Sequence, residues 1–246
     1  MDLSSSSIHA IILAGGAGTR LRASVGEIQK CILEINGRPF LEWVLLWLKN
    51  QGIQDVTIAT GYQAESVEKT LGNGERFDLK IEYSRETSPL GTGGAIRKAF
   101  EGCQSDFALV LNGDSFCAFN LAQLRDEHVS SSALASLWLV QVHDTSRFGR
   151  VEKDASGWIQ LFSEKCPNQG GGNINAGIYL LNRELINTIS SEKMVSLERE
   201  IFPHLASTKR LFGVSSEELF IDIGTPEAYG SAKEFFKTDR FRLLSS

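Results

Sequence analysis

Cysteine and histidine are scarce in this chain of 246 residues, and it has neither long hydrophobic runs nor an excess of positive charge. The four cysteines, Cys31, Cys103, Cys117 and Cys166, form no CxxC pair, and the four histidines show no HxxxH spacing. Neither a zinc site nor a disulfide framework is indicated. The net charge of -5 provides no general basic field for a nucleic acid backbone, so we expect no nucleic-acid partner.

The apolar stretches are too short for a membrane-spanning helix. The longest lie around Ile8–Leu13 and Leu41–Leu48, whereas such a helix needs roughly 20 residues. The N-terminus shows no basic segment followed by an apolar leader. Together with the cysteine usage, these features predict a cytoplasmic protein with no membrane partner.

The chain does have the composition and the rhythm of a globular α/β protein. Hydrophobic residues make up 42% of it, and with Gly counted and Tyr left out the share is about 49%, as in ordinary folded domains. In the first half, strand patterns alternate with helical ones, which is typical of a parallel sheet covered on both faces. The predicted strands are His9–Ala14, Val56–Thr60, Leu79–Tyr83 and Phe107–Leu111, and the predicted helices are Pro39–Gln51, Ala64–Leu71 and Thr92–Phe100.

After about Ala133, successive strand patterns replace the alternation. Strands are predicted at Leu134–Val142, Gly149–Lys153, Trp158–Ser163, Ile174–Leu181 and Leu219–Ile223, and helices at Leu197–Leu205 and from Pro226 to about Phe236. No linker or repeat separates the halves. We therefore predict one domain over residues 1–246, with a Rossmann-like mixed, mainly parallel sheet flanked by helices and a smaller antiparallel lobe over the site.

The strongest local motif is Leu13-Ala-Gly-Gly-Ala-Gly-Thr-Arg-Leu21, directly after the first predicted strand. Its glycines let the backbone approach a ligand and turn its amides toward phosphate oxygens, and Arg20 adds a planar cation. A dinucleotide-binding fingerprint fails on spacing, because glycine is missing at Ala17 in one register and at Leu21 in the other. A Walker loop fails because no lysine follows Gly18.

The segment from Leu13 to Leu21, followed by Lys30, resembles the opening motif of the sugar-1-phosphate nucleotidyltransferase family, which is GGxGTRL, a short spacer and Pro-Lys. The resemblance extends from about His9 to Tyr229. It implies a nucleotide-diphospho-sugar transferase fold of the GT-A-like type, with residues 1–132 mainly binding nucleotide and residues 133–246 mainly binding sugar phosphate. Gln29 departs from the pattern, because the family usually has proline there.

The resemblance assigns a nucleotide site to the first half. Arg20 and Lys30 are the expected catalytic cations. A second glycine-rich segment, Pro89–Ala95, lies at the mouth of a predicted helix and matches the part of the family that holds the base and ribose. The expected nucleotide-binding residues are Leu13, Gly15, Gly16, Gly18, Thr19, Gly91, Thr92, Gly93, Gly94 and Asn112.

Two aspartates at strand ends are the candidate metal ligands. Asp114 follows the strand Phe107–Leu111, at the carboxyl end, where α/β sheets place their ligands. Asp222 precedes a Gly-Thr-Pro turn in which Thr225 is the more natural N-cap of the next helix. Two carboxylates and a triphosphate suit Mg²⁺, and the resemblance implies the same ion at these positions.

The segments between the two aspartates resemble the family's sugar-binding half. Sugar hydroxyls require paired donors and acceptors, which carboxylates, amides and backbone groups provide, and a lysine can neutralise the sugar phosphate. The expected sugar-phosphate-binding residues are Gly149, Glu164, Lys165, Asn175 and Gly177.

The resemblance implies that a nucleoside triphosphate and a sugar 1-phosphate react to give a nucleoside-diphosphate sugar and pyrophosphate. The attacking phosphate has a second pKa of about 6 and is largely ionised, so no histidine is needed. The segments Pro89–Ala95, Ser196–Pro203 and Phe220–Tyr229 are most similar to guanylyltransferases for manno-configured sugars, so GTP and a manno-heptose 1-phosphate are the expected substrates. Uridylyl or thymidylyl transfer to another sugar phosphate and a catalytically silent nucleotide-sugar sensor are the alternatives, and the sequence leaves a homo-oligomer open.

Overall fold

The computed structural model describes residues 8–16, 28–163, 170–191, 193–238 and 241. Its strands are β1 (Ile8–Ala14), β2 (Glu34–Ile35), β3 (Arg38–Pro39), β4 (Asp55–Thr60), β5 (Lys80–Arg85), β6 (Phe107–Asn112), β7 (Ser115–Cys117), β8 (Ala135–Val142), β9 (Arg150–Lys153), β10 (Ile159–Ser163), β11 (Gly172–Asn182), β12 (Leu211–Ser216) and β13 (Phe220–Asp222). Its α-helices are α1 (Phe40–Asn50), α2 (Ala64–Leu71), α3 (Gly91–Ala99), α4 (Leu121–Ser131), α5 (Arg183–Thr188), α6 (Phe202–Ser207) and α7 (Pro226–Phe235). Short 3-10 turns span Lys30–Ile32 and Glu75–Phe77, and a π-helical turn spans Leu197–Ile201.

Within the described residues, nine strands form one mixed sheet. Its neighbours run in the order β10, β9, β11, β6, β1, β4 and β5, while β8 pairs with β11 and β12 pairs with β8. The pairs of β1 with β4 and β6, and of β4 with β5, are parallel, which confirms the predicted core of the first half. The predicted antiparallel strands of the second half are confirmed for β8 to β11, and they extend the same sheet through the β6–β11 pair.

The central strands are buried on both faces, as their unbroken apolar runs predict. Ile12 and Leu111 pack into the hydrophobic cluster on one face, and Ile11 and Val110 into the cluster on the other, because successive side chains of a strand point to opposite faces. Since β1, β4 and β6 are parallel, their carboxyl ends meet at one edge of the sheet. That edge carries the candidate site.

Several elements have no clear pattern in the sequence. Helix α4 buries only Leu121, Leu124 and His128, so its apolar stripe is short and interrupted by a polar residue. Strand β12 contains Gly213, where a Cβ atom would lie 2.7 Å from the Leu139 side chain. The segment predicted as one helix, Leu197–Leu205, consists of the π-helical turn followed by α6.

The C-terminal helix α7 begins as predicted and packs back against the first half. Thr225 is its N-cap and accepts a hydrogen bond from the Ala228 amide, with Pro226 in the first turn. The Phe236 ring that follows α7 stacks on Trp43 of α1, with ring centroids 4.6 Å apart. None of the described helices is both long and apolar enough to cross a membrane.

Candidate active site

A pocket of about 490 Å³ opens at the carboxyl edge of the parallel strands. It is formed by the end of β1, the 3-10 turn that begins at Lys30, the start of α3 and the end of β6. The predicted site residues that line it are Leu13, Gly15, Gly16, Lys30, Gly91, Thr92, Asn112 and Asp114. Gly18, Thr19, Arg20, Glu164 and Lys165 lie outside the described residues, and their roles stay predictions.

Lys30 and Asp114 form an ion pair inside this pocket. The Lys30 side chain is 14% exposed and the Asp114 side chain 41% exposed, so the ammonium group faces the pocket while the carboxylate stays accessible. The Asp114 carbonyl accepts the amide of Ile223 at 3.0 Å, and Asp222 lies opposite Ser115 in the β7–β13 pair. The two predicted metal ligands are therefore on adjacent chain segments.

Asp222 is half-buried, and its surroundings disfavour its negative charge. Burial and the nearby Asp114 carboxylate both raise the pKa of Asp222. Its Oδ1 atom accepts the amide of Gly224 at 2.6 Å. A cation between the two carboxylates would compensate this repulsion.

The donor set fits a hard divalent cation held in part by substrate. Among the described residues, no group of three or more His, Cys, Asp or Glu side chains could hold a metal ion. Asp114 and Asp222 would then supply two carboxylates, and the remaining ligands would come from phosphate oxygens and water, which is how Mg²⁺ is usually bound.

Asn112 is held beside a bulge in β11. The pairing of β11 with β8 shifts register between Asn175 and Tyr179, and Gly177 within the bulge has a φ of +73°. A Cβ atom on Gly177 would lie 2.5 Å from Nδ2 of Asn112, so only glycine lets the two residues approach. Neither Asn175, Gly177 nor Gly149 is among the residues that line the pocket.

The side-chain amide of Asn175 is engaged within this bulge. Its Oδ1 atom accepts the amide of Gly177 at 2.8 Å, and its Nδ2 atom donates to the Tyr179 hydroxyl at 2.8 Å. Tyr179 is fully buried. Asn175 thus holds the Gly177 backbone, which lies against Asn112. Its contact with a sugar stays a prediction.

The glycines at the start of α3 make room for another part of the chain. A Cβ atom on Gly91, whose φ is +71°, would lie 2.4 Å from the Val195 carbonyl oxygen. The Gly93 amide donates to the same carbonyl at 2.8 Å, and the open face of Gly94 meets the Lys193 carbonyl. Gly93 and Gly94 do not line the pocket, so of these three glycines only Gly91 does, and the nucleoside contacts of all three stay predictions.

Thr92 ties α3 to the π-helical turn. Its hydroxyl donates to Oε2 of Glu198 at 2.7 Å and accepts the amide of Leu197 at 2.9 Å. Glu198 also lines the pocket. The nucleotide contact predicted for Thr92 is therefore accompanied by a structural one that joins two distant segments.

Three polar residues of the lining, Gln29, Glu86 and Glu198, were not predicted as site residues. Glu86 directly follows β5 and could have been found by the strand-end rule that identified Asp114. Glu198 gives no such signal, because its place depends on contacts with residues about a hundred positions earlier. Gln29 is notable in the sequence only because the family usually has proline at that position.

The described lining is more acidic than basic. Glu86, Asp114 and Glu198 carry carboxylates, against the single ammonium group of Lys30. Cys31 is buried next to Lys30, and burial raises the pKa of its thiol to about 12, so it stays protonated. A triphosphate bound here would need further positive charge.

A parallel α/β sheet whose strand ends place a glycine turn, a lysine and carboxylates around one pocket defines a protein that binds phosphorylated nucleotides. The chain belongs to the nucleotidyl transferase family, whose model matches residues 9–239. Members of this family generally use a divalent metal ion.

The chain is similar over most of its length to guanylyltransferases. It is 36% identical over 227 residues to the D-glycero-alpha-D-manno-heptose 1-phosphate guanylyltransferase of Aneurinibacillus thermoaerophilus, covering 92% of this chain and 97% of that protein. It is 38% identical over 229 residues to the mannose-1-phosphate guanylyltransferase of Mycobacterium tuberculosis, covering 92% of this chain and 64% of that protein.

Solved structures agree with the fold. Two crystal structures of HddC from Yersinia pseudotuberculosis, one of them complexed with GMP-PN, match with TM-scores of 0.84 and 0.83 at 32% identity. Each match covers 93% of this chain and 99% of that one. The predicted family and fold class are confirmed.

Proposed function

We propose that the protein transfers a guanylyl group from GTP to a sugar 1-phosphate and releases pyrophosphate. The observation that carries this proposal is the placement of Lys30 and Asp114 together at the glycine turn of β1. The similarity to guanylyltransferases over nearly the whole chain supports it. The bond that forms joins a sugar-phosphate oxygen to the α-phosphorus of GTP, and the bond that breaks releases the β- and γ-phosphates with its electron pair.

The obstacle to this reaction is repulsion between two anions. The attacking phosphate is largely ionised at neutral pH, since its second pKa is about 6, and no side chain needs to remove a proton. Lys30 orients the reacting phosphates and offsets charge that develops in the transition state. Arg20, outside the described residues, is proposed to bind the triphosphate.

We assign the divalent cation as Mg²⁺ and its protein ligands as Asp114 and Asp222. Bound there, the ion would neutralise phosphate charge and help align the two phosphates for in-line transfer. The acidic lining supports this assignment, because Lys30 alone does not balance the described carboxylates. The two aspartates would hold the ion from adjacent segments.

Glu86 is the proposed selector of guanine. Its Oε2 atom accepts the amide of Leu90 at 3.0 Å, which fixes the carboxylate, and its Oε1 atom lies toward Gly15 in the pocket. A carboxylate only accepts hydrogen bonds, and guanine offers adjacent N–H donors including the N2 amino group. Uracil and thymine offer one N–H between two carbonyl oxygens, which a carboxylate matches less well.

We infer a manno-configured heptose 1-phosphate as the acceptor. Two heptose 1-phosphate guanylyltransferases, at 36% and 37% identity, are each matched over 97% of their length, which supports this acceptor. Glu164, Lys165, Asn175, Gly149 and Gly177 are the proposed sugar-phosphate-binding residues. A reducing cytoplasm is the proposed setting, since Cys31 and Cys103 are free thiols.

Pyrophosphate release tests the function directly. The purified protein is assayed with GTP, UTP, dTTP and ATP, each paired with manno-heptose 1-phosphate, mannose 1-phosphate and glucose 1-phosphate. We expect release with GTP and the heptose phosphate above all other pairs. Release with UTP or dTTP instead would replace the guanylyl assignment, and nucleotide binding without release from any pair would establish a silent sensor.

A further inference from the structure

Gln29 is a buried polar residue at the edge of the pocket, and its side chain connects three segments of the chain. It is 2% exposed. Its Nε2 atom donates to the Ala14 carbonyl at 2.9 Å and to the Tyr62 carbonyl at 3.1 Å. Its Oε1 atom accepts the amide of Lys30 at 2.8 Å. Both amide protons and the carbonyl oxygen of the side chain are therefore engaged.

These partners lie at the ends of two neighbouring strands. Ala14 ends β1 opposite Thr60, which ends β4, and Tyr62 lies in the loop that follows β4. Gln29 is also the N-cap of the 3-10 turn that begins at Lys30. Its side chain thus attaches this turn to the carboxyl edge of the parallel sheet.

The backbone and the side chain of Gln29 make separable contributions. Its φ of -61° and ψ of 126° are angles that proline adopts without strain, because the proline ring fixes φ near about -65°. Proline would keep this backbone conformation but would offer no amide protons to Ala14 and Tyr62. Methionine would keep the length of the side chain without fixing φ, and like proline it would lose all three side-chain hydrogen bonds.

Lys30 is the residue that this arrangement places. Its backbone amide is held by Gln29, and its ammonium group contacts Asp114. A lysine carries its charge on a flexible four-carbon stem, so the position of the charge depends on how firmly the backbone is anchored. We propose that Gln29 is a positioning residue, which holds the Lys30 backbone against β1 and β4 so that the ammonium group meets the reacting phosphates beside Asp114.

This inference rests on the proposed function and is tested first by steady-state kinetics. In Gln29→Met, we expect kcat for pyrophosphate release to fall on the order of 10²-fold, the loss that a displacement of about 1 Å can cause, while KM for GTP stays within about threefold because ground-state binding is kept. The matched control is Gln51→Met. Its side chain accepts the Leu121 amide at 2.8 Å and does not line the pocket, so kcat should not change.

A double-mutant cycle shows whether Gln29 acts through Lys30. Lys30→Ala alone should lower kcat on the order of 10²- to 10³-fold, as loss of one electrostatic donor does elsewhere. In the Lys30→Ala background, Gln29→Met should have little further effect, because the group that it positions is gone. Losses that multiply would overturn the proposal.

Gln29→Pro separates positioning from direct contact with substrate. If Gln29 acts on the backbone, proline should retain more kcat than methionine, since it preserves φ; a proline variant that loses more kcat than the methionine variant would overturn the positioning role. If Gln29→Met does not fold, Gln29→Pro replaces it in the hydrogen-exchange measurement below, because it also lacks the acceptor of the Lys30 amide.

Hydrogen exchange provides a readout that does not depend on activity. Exchange at the Lys30 amide should rise in Gln29→Met and stay unchanged in Gln51→Met. A wild-type protein that releases no pyrophosphate overturns the proposed function, whereas unchanged Lys30 exchange or unchanged kcat in Gln29→Met overturns the assignment to Gln29.

Discussion

Asp114 and Asp222 acquire their proposed role from their neighbours. Lys30 compensates the charge of Asp114, while burial and the Asp114 charge raise the pKa of Asp222. Lys30 and Arg147 oppose this rise without cancelling it, so negative charge remains in excess at the two carboxylates on adjacent segments. A divalent cation is the partner that this excess favours.

Replacing either aspartate should therefore weaken the response to magnesium. In Asp222→Asn, we expect the Mg²⁺ concentration for half-maximal pyrophosphate release to rise at least about tenfold, a loss that even outer-shell changes produce. A magnesium titration of initial rates measures it, with Asp126→Asn on the exposed face of α4 as control. An unchanged requirement in both Asp114→Asn and Asp222→Asn would remove the metal assignment.

The sequence was sufficient to predict the residues of the site that follow strand ends. Asn112 and Asp114 follow an apolar strand, and Lys30 follows a glycine turn. The parallel-sheet rule and the family motif therefore predict that they lie close together, and all three line one pocket. Glu198 could not be placed from the sequence, because its contact with Thr92 exists only after the second half folds over α3. The amide geometry of Gln29 is likewise visible only in three dimensions.

At the scale of elements, the start of α3 and the segment 193–198 form one unit. The Val195 carbonyl accepts the Gly93 amide, and the Val195 amide donates to the Leu90 carbonyl at 2.9 Å. Gly91 is the residue that permits this approach, since any Cβ atom there would overlap the Val195 carbonyl. The glycine-rich pattern predicts a nucleoside cradle, which stays a prediction, and the structure shows that these glycines receive a chain segment.

Gly91→Ala should destabilise this unit more than a comparable change elsewhere. Gly91 and Gly102 both have positive φ, at +71° and +80°, but a Cβ atom on Gly102 meets nothing within 4 Å. Gly102→Ala should lower the free energy of unfolding by roughly 1–2 kcal/mol from the left-handed backbone alone. Gly91→Ala should lose about 1–3 kcal/mol more from overlap. Urea unfolding of both variants measures this difference, and equal losses would contradict it.

His128 connects α4 to the sheet and makes stability depend on pH. Its ring nitrogens contact the Ser136 hydroxyl and Oδ1 of Asn182, and burial lowers its pKa despite the opposing effect of Asn182. The folded protein therefore keeps His128 neutral at pH values where the unfolded chain, with a pKa of about 6.5, binds a proton. The stability that this pKa difference contributes is fully present above the pKa of His128 in the unfolded chain. It is lost as the pH falls through the pKa of His128 in the folded protein.

The free energy of unfolding of wild type should thus fall between pH 7 and 5 by up to about 1.4 kcal/mol per unit from this group. The variant His128→Gln lacks the titration but keeps hydrogen-bonding capacity, so its deficit relative to wild type should shrink as pH falls. Urea titrations at several pH values test this. A deficit that is constant or grows on acidification would show that His128 does not titrate differently in the two states.

At the scale of the whole molecule, the alternation of strands and helices was enough to predict the parallel core. The unbroken apolar runs of β1 and β6 require burial on both faces, which a parallel sheet provides. The order of the later strands was not predictable, because β11 pairs with β6, β8 and β9 at once. That branching joins the two halves of the chain in one sheet, and the division of labour between residues 1–132 and 133–246 stays a prediction.

The described C-terminal residues close the core beneath the site. Phe241 is fully buried, and its ring lies 5.3 Å from that of Phe116 in β7 and 5.1 Å from that of Phe235 in α7. Strand β7 directly follows Asp114, and β13, its partner, ends at Asp222. Packing at the end of the chain therefore supports the strands that carry both aspartates.

Phe241→Ala should reveal this support as a loss of global stability. Removing a buried phenylalanine ring typically costs about 3–5 kcal/mol, from lost burial and the cavity that remains, whereas Leu161→Ala, at a side chain 46% exposed, should cost within about 0.5 kcal/mol, as surface changes do. Urea unfolding measures both.

Because β7 and β13 hold the aspartates, the Phe241 variant should also need more Mg²⁺ for half-maximal pyrophosphate release at temperatures where it is still folded. A loss below about 1 kcal/mol would show that the C-terminal ring is dispensable to the core, and a large loss with an unchanged Mg²⁺ requirement would show that the site tolerates movement beneath β7.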